Sequence, residues 1–247
     1  MLSSTLTNNR NGDARQSEQA YAAIKDAILR HEMPPGFQLL EPALALRLGM
    51  SRTPVHEALV RLQDEGYVEL QARRGMRVTL LSPREIREIT ELLACLEVEA
   101  AERTAARRLP AEELEVFDAA IKAMDRALES GDVDAWNSAD SRFHLLLIEF
   151  CGNRLLIDVA KRFLEQANRF RYLTSSHRTP PVYSNVNHAA VVEAIRRGDP
   201  QSAGEIHRAH KRRWLRELDA ILVQIDPAEP PPARGWAVTN VEAGSRP

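Results

Sequence analysis

The stretch EPALALRLGMSRTPVHEALVRLQDEG, residues 41–66, decides how the front of this chain folds. Glu41–Leu48 is a short helical pattern, and Gly49 follows where the chain must reverse. A second pattern, Thr53–Glu65, then begins with Pro54 in its first turn. Val55, Ala58, Leu59 and Leu62 recur at three- and four-residue spacing and give that second helix an inner face. Two short helices about a glycine turn have helix-turn-helix geometry. Upstream, Glu18–His31 supplies a third helix, joined through the Pro34-Pro35-Gly36 turn. Downstream, Tyr67-Val68-Glu69-Leu70-Gln71 and Met76-Arg77-Val78-Thr79-Leu80 flank Ala72-Arg73-Arg74-Gly75, which predicts a β-hairpin with a basic tip. Residues 18–81 therefore read as a winged helix-turn-helix, and the polar, capless residues 1–17 as a disordered arm.

Beyond Ser82 the text is helical throughout. Proline and glycine fall almost wholly between apolar-periodic stretches, which predicts helices over Pro83–Arg108, Pro110–Ser130, Asp132–Cys151, Asn153–Thr174, Pro181–Arg197 and Pro200–Ile225. Ser82, Asp132 and Asp199 stand at N-cap positions. Only Gly204 interrupts a stretch. The fold class is mainly α, with the winged helix followed by an all-α six-helix antiparallel bundle over 82–226. Residues 227–247 hold five of the fourteen prolines and no amphipathic pattern, and read as a disordered tail.

The chain has 247 residues, 44% apolar and 28% charged, enough for two modest domains. No apolar run approaches the ~18–20 residues that cross a bilayer. The first fifteen residues lack the apolar core of a signal peptide, and Cys95 and Cys151 sit in ordinary apolar stretches, so a cytoplasmic protein without a membrane partner is expected. The formal charge of −2 divides unevenly. Residues 1–82 carry ten basic against nine acidic side chains, while residues 83–226 carry 21 against 24, so the acidic surplus belongs to the helical part.

The arginines of the front part are placed for phosphate and base contact. Ser51, Arg52 and Thr53 open the second helix, where free backbone N–H groups favour an anion, and a guanidinium there forms a fork on guanine O6 and N7. His56 faces outward one turn later. Arg73, Arg74 and Arg77 cluster about Gly75 at the hairpin tip, suited to the backbone or minor groove. Double-stranded DNA is the expected partner.

A second constellation lies in the helical part. Asp140 and His144 are four apart on one helix face, a spacing that holds one metal ion. His188 falls beside Val191, Val192 and Ile195, and His210 one turn before Trp214. Three inward histidines and an aspartate are costly to bury without something to coordinate. Their chemistry suits one divalent ion per chain, Zn²⁺ first, with Ni²⁺ or Mn²⁺ also accommodated. Two classes use such a set: a regulator that anchors a ligand, and a metal-dependent enzyme. No nucleophile elbow, phosphate loop or convincing general base accompanies it, which favours the non-enzyme.

The stretch Tyr21 to Leu80 resembles the winged helix of GntR-type bacterial transcription regulators. The residues that carry the likeness are Pro34-Pro35-Gly36, Leu40-Glu41, Leu44-Ala45, Leu48-Gly49, Ser51-Arg52-Thr53-Pro54-Val55, Glu57-Ala58-Leu59, Arg61-Leu62 and Glu65-Gly66. Asp140, Phe143-His144 and Gly152-Asn153, then His188, Ala194-Ile195, Gly198-Asp199, Ala203 and His210, resemble the FCD effector domain of the FadR-like branch. The resemblance implies a homodimeric, ligand-responsive regulator of operator DNA, most typically a repressor. It also implies a metal bound through Asp140, His144, His188 and His210, and a small-molecule effector such as an organic acid. Three positions depart from the family pattern. His56 stands in place of the usual arginine, Pro42 where some members carry a base-reading arginine, and Leu93 where many carry an arginine that grips a carboxylate. His207, one turn before His210, is an additional pocket residue on this reading.

Overall fold

The computed structural model describes residues 4–175 and 182–224, with side chains over 14–170 and 182–224. It divides into two compact units, one ending at Leu81 and the other spanning Ser82–Asp226. His177, which the sequence places in a loop, and residues 227–247, expected as a disordered tail, lie outside the described residues.

The first unit is built from α1 (Ser4–Leu29), β1 (Gln38–Leu39), α2 (Glu41–Leu48), α3 (Arg52–Asp64), β2 (Val68–Gln71) and β3 (Gly75–Val78). Its core joins Ile24 and Ile28 of α1 to Val55, Leu59 and Leu62 of α3, closed by Tyr67, Met76 and Val78 beneath the sheet. Each fully buried aliphatic side chain there contributes about 1.5–3 kcal/mol. Gly49 ends α2 at φ 64°, its N–H reaching back to Ala45 and Leu46, and this left-handed residue makes the tight reversal into α3. The strands form an antiparallel sheet in the order β1-β3-β2, with Leu39 opposite Met76 and Val68 opposite Val78.

Two features differ from the sequence expectation. β1 was not expected, because a two-residue strand has no period to read and is defined only by its partner β3. Residues 4–17, expected as a disordered arm, instead continue α1 as helix. Once Ala20, Ile24 and Ile28 dock against the core, each further residue adds one hydrogen bond to an existing nucleus, and the segment contains no proline to stop it.

The second unit consists of α4 (Pro83–Ala106), α5 (Ala111–Ser130), α6 (Val133–Phe150), α7 (Arg154–Ser175), α8 (Val182–Arg197) and α9 (Pro200–Leu222). All three expected N-caps form. Ser82 and Glu85 make a reciprocal capping box, Asp132 Oδ1 accepts from the Ala135 N–H at 2.9 Å, and Asp199 Oδ1 from the Ser202 N–H at 3.0 Å. α4 is central, packing on α9, α7, α6 and α8, while α5 packs on α6 and α8. The core between these helices gathers Ala101, Phe117, Met124, Phe143, Leu146, Leu147 and Ile195.

Gly204 sits inside α9 opposite the Glu102 side chain of α4. A Cβ there would lie 2.0 Å from Oε1, 2.4 Å from Cγ and 2.5 Å from Cδ of Glu102, a partly exposed side chain paired with Arg208. Glu102 can swing away, so Gly204→Ala gains about 1 kcal/mol of helix propensity and loses an ion pair of about 0–1 kcal/mol. The expected change in unfolding free energy is within about 1 kcal/mol, measured by urea denaturation. A loss of several kcal/mol would show that the α4–α9 spacing itself requires glycine.

Candidate metal centre and nucleic-acid interface

α6 delivers Asp140 and His144 one turn apart on its inner face, and both are buried. α8 contributes His188, and α9 contributes His207, His210 and Lys211. The helices are held in register by polar pins. Trp136 Nε1 donates to Asn185 Oδ1 at 2.9 Å, and Asn185 Nδ2 donates to Asp125 at 2.7 Å, tying α6 and α5 to the turn of α8 that precedes His188. Thr104 Oγ1 donates to the Leu147 carbonyl at 3.1 Å, tying α4 to α6. Phe143 stacks on the His188 ring at 4.1 Å and fixes its plane.

The four expected donors meet. His188 Nε2 lies 2.9 Å and His144 Nε2 3.5 Å from Asp140 Oδ1, and the His210 ring stands 4.7 Å from that of His188. Donor atoms of His144, His188 and His210 all fall within 4.8 Å of one another, close enough to hold one ion. His188 Nδ1 is buried without a hydrogen-bond partner among the described residues. Three imidazoles and a carboxylate, buried and convergent, fit a borderline divalent metal.

Burial keeps the imidazoles of His188, His207 and His210 neutral. Burial pushes His188 down to about 4 and His207 to about 3, overcoming the opposing pull of Asp140 and of Glu97. Burial, then the neighbouring histidines and Lys211, hold His210 well below the ordinary histidine range. Neutral imidazole is the form that ligates. Because the folded-state values lie below the unfolded value of about 6.5, this contribution to stability is complete above pH ~6.5 and is lost as pH falls toward about 4. Metal-stripped protein is therefore expected to melt at lower temperature at pH 5 than at pH 7.5. A melting point that rises on acidification would contradict the buried neutral histidines.

Sequence reasoning missed Glu97 and Lys211. Glu97 of α4 is fully buried, and its Oε2 is 2.7 Å from His144 Nδ1, 2.9 Å from His207 Nε2 and 2.6 Å from Lys211 Nζ. Burial alone would raise this carboxyl, but His144 and Lys211 beside it, with the hydrogen bonds from His144 and His207, hold it well below the usual carboxylate range. The available signal was a charge on an apolar face, since Glu97 follows buried Leu93 by four residues and precedes buried Ala101 by four. His207, expected in the pocket, faces Glu97. Arg142 points outward to Glu149 at 3.2 Å.

In the first unit Ser51 is the N-cap residue of α3, yet its side chain makes no cap hydrogen bond. Ser51, Arg52, Thr53 and His56 are all exposed, as are Arg73 and Arg74, with Gly75 half-buried behind them. Among the described residues no carboxylate pairs with Arg52, Arg73 or Arg74, so their charges face solvent. His56 Nδ1 sits 3.3 Å from the Glu41 carboxylate. Arg61 is instead committed to the fold, pairing with Glu18 and Glu65 and lying over the Tyr21 ring at 3.6 Å.

Comparison with known proteins agrees with this division. The family model described as bacterial regulatory proteins, gntR family, matches residues 16–78, and that of the FCD domain matches residues 88–230. An uncharacterized HTH-type transcriptional regulator of Agrobacterium vitis is 45% identical over 131 residues, covering 52% of this chain and 77% of that one. The HTH-type transcriptional repressor RspR of Escherichia coli is 24% identical over 209 residues, covering 85% and 90%. Among solved structures, E. coli McbR/YncC superposes with a TM-score of 0.70 at 21% identity, covering 85% of this chain and 97% of that one. A GntR regulator from Rhodococcus sp. RHA1 gives 0.71 at 19% identity, covering 83% and 98%. At such identities these two establish the fold alone. With the gntR model over the winged helix and the FCD model over more than half of the chain, the protein belongs to the GntR family of bacterial transcription regulators that carry an FCD domain.

Proposed function

We propose that the protein is a homodimeric, ligand-responsive repressor. Its winged helix would grip operator DNA, and its helical unit would bind a small organic acid at or beside a divalent metal, zinc first. The observation that carries this reading is the convergence of Asp140, His144, His188 and His210 in the FCD unit of a chain whose other unit exposes Ser51, Arg52 and the Arg73–Arg74 tip. A bound metal would supply a Lewis-acidic anchor for ligand oxygens. The residues of the chain do the rest. Asp140 and the three imidazoles would hold the anchor without turnover. Phe143 fixes the plane of His188 against it. Glu97, the nearest further carboxylate, is engaged by three groups and held ionised, so it is a poor general base, which weighs against the enzyme alternative.

At the DNA, Arg52 at the start of α3 would fork onto a guanine edge, and Ser51 with the backbone N–H groups beside it would take a phosphate. Arg73 and Arg74 would reach the adjacent backbone or minor groove. In a dimer the two recognition helices must match the half-site spacing, so a ligand that reorients them lowers operator affinity. The unit carrying these arginines is almost neutral overall, so contact geometry would contribute more than bulk charge. The test is a gel shift on DNA flanking the gene. Wild-type protein is expected to bind specifically, and Arg52→Ala to lose about 1–3 kcal/mol, roughly 5- to 150-fold, at one base position. Specific binding that survives Ser51→Ala/Arg52→Ala would reject the proposed recognition helix.

A further inference from the structure

His144 lies between two carboxylates. Its Nε2 is on the side of Asp140, His188 and His210, while its Nδ1 is 2.7 Å from Glu97 Oε2. We propose that Glu97 is the outer carboxylate of the metal centre, a positioning residue that accepts the His144 Nδ1–H and so leaves the Nε2 lone pair for the ion. This rests on the reading of Asp140, His144, His188 and His210 as ligands. A metal-bound histidine characteristically donates its second ring N–H to a carboxylate, which fixes both tautomer and ring orientation. Glu97 is in turn fixed by the His207 Nε2–H at 2.9 Å and by Lys211 Nζ at 2.6 Å, so it is oriented before any ion arrives.

The geometry also excludes the opposite assignment. Glu97, His144 and His207 form a second group of donors within 4.8 Å of one another, which on donor chemistry alone would hold an ion of its own. Lys211 fills the place of that ion. Its ammonium is 2.6 Å from the carboxylate oxygen and 3.5 Å from His144 Nδ1, and a divalent ion beside it in this buried setting would meet strong repulsion. One positive group therefore stands on each side of the His144 ring, an ammonium on the Nδ1 side and the metal on the Nε2 side, and the centre is mononuclear.

The experiment is zinc reloading of the stripped full-length protein in competition with a chromophoric chelator, with stoichiometry from elemental analysis and folding checked by circular dichroism. Wild type is expected to take one zinc per chain. Glu97→Gln is expected to take one zinc about 10- to 100-fold more weakly. Wild-type affinity in Glu97→Gln would overturn the proposal. So would complete loss of zinc in Glu97→Gln together with retention in Asp140→Ala, because Glu97 would then be a ligand itself. If Asp140→Ala and His188→Ala/His210→Ala both keep full affinity, the four-ligand reading fails instead, and the proposal with it. A second measurement needs no variant. In ¹⁵N-histidine-labelled, zinc-loaded wild type, His144 is expected to be protonated at Nδ1 and metal-bound at Nε2, and an Nδ1-bound His144 refutes the assignment.

Discussion

Replacing His188 and His210 together by alanine is expected to take the bound metal from about one ion per chain to none. These two rings come from different helices, α8 and α9, and stand 4.7 Å apart, so their loss leaves only Asp140 and His144 on α6. Two donors on one helix turn cannot complete a tetrahedral site. The stability linked to the ion disappears as well. With free zinc at 100 times its dissociation constant, binding stabilises the wild type by about 2.7 kcal/mol. The double variant also has a cost unconnected with metal, since Asp140 loses its His188 partner in a buried setting, about 1–3 kcal/mol. The diagnostic quantity is thus the zinc-dependent rise in melting temperature, present in wild type and absent in the variant. Stoichiometric metal in the double variant would falsify the assignment.

The second large effect concerns the wing. Gly75→Ala is expected to destabilise the first unit by about 3 kcal/mol, combining about 1–2 kcal/mol for an L-residue in the left-handed region with a steric cost. Gly75 has φ 78°, and a Cβ there would lie 2.3 Å from the Leu39 carbonyl oxygen and 2.6 Å from the Leu40 Cα. Both obstacles are backbone, so β1 itself must move off β3. Gly66 supplies the control, having φ 78° with nothing within 4 Å of its Cβ position. Gly66→Ala should cost only the conformational part, about 1–2 kcal/mol. Amide exchange at Met76 and Val78 of β3 should therefore speed up far more in Gly75→Ala than in Gly66→Ala. DNA affinity should fall in parallel, because Arg73 and Arg74 ride on the displaced tip. Equal exchange rates in the two variants would remove the close β1 contact from the account.

Much of the molecule is legible from local sequence because its signals are local. Ser82, Asp132 and Asp199 read as caps, and they cap, because a side-chain oxygen one residue ahead of a helix satisfies N–H groups that are close in sequence. Asp140 and His144 read as one face because an α-helix places residues four apart together. The extent of α1 was misread, since the polar composition of residues 4–17 carries no sign of the docked segment from which the helix propagates. β1 was invisible for the complementary reason that two residues become a strand only when β3 lies alongside.

Local sequence was enough for the winged helix, the six helices with their caps, the placing of Asp140 and His144 on one helix face, and the arginines at the start of α3 and in the hairpin. All of these follow from spacing along one element, where the backbone period dictates which side chains share a face. The tertiary structure alone decided what the charges do. Glu97 and His207 are 110 residues apart and meet only because α4 packs on α9. Buried together with Lys211 beside them, they make of a charge on an apolar helix face the carboxylate that lies 2.7 Å from His144 Nδ1. The same packing set Arg61 apart from Arg52, since two arginines of α3 differ in role only through Glu18, Glu65 and Tyr21, which α1 and the end of α3 bring against one of them. Helix periodicity is a property of the chain, whereas the environment of a charge belongs to whatever packs against it.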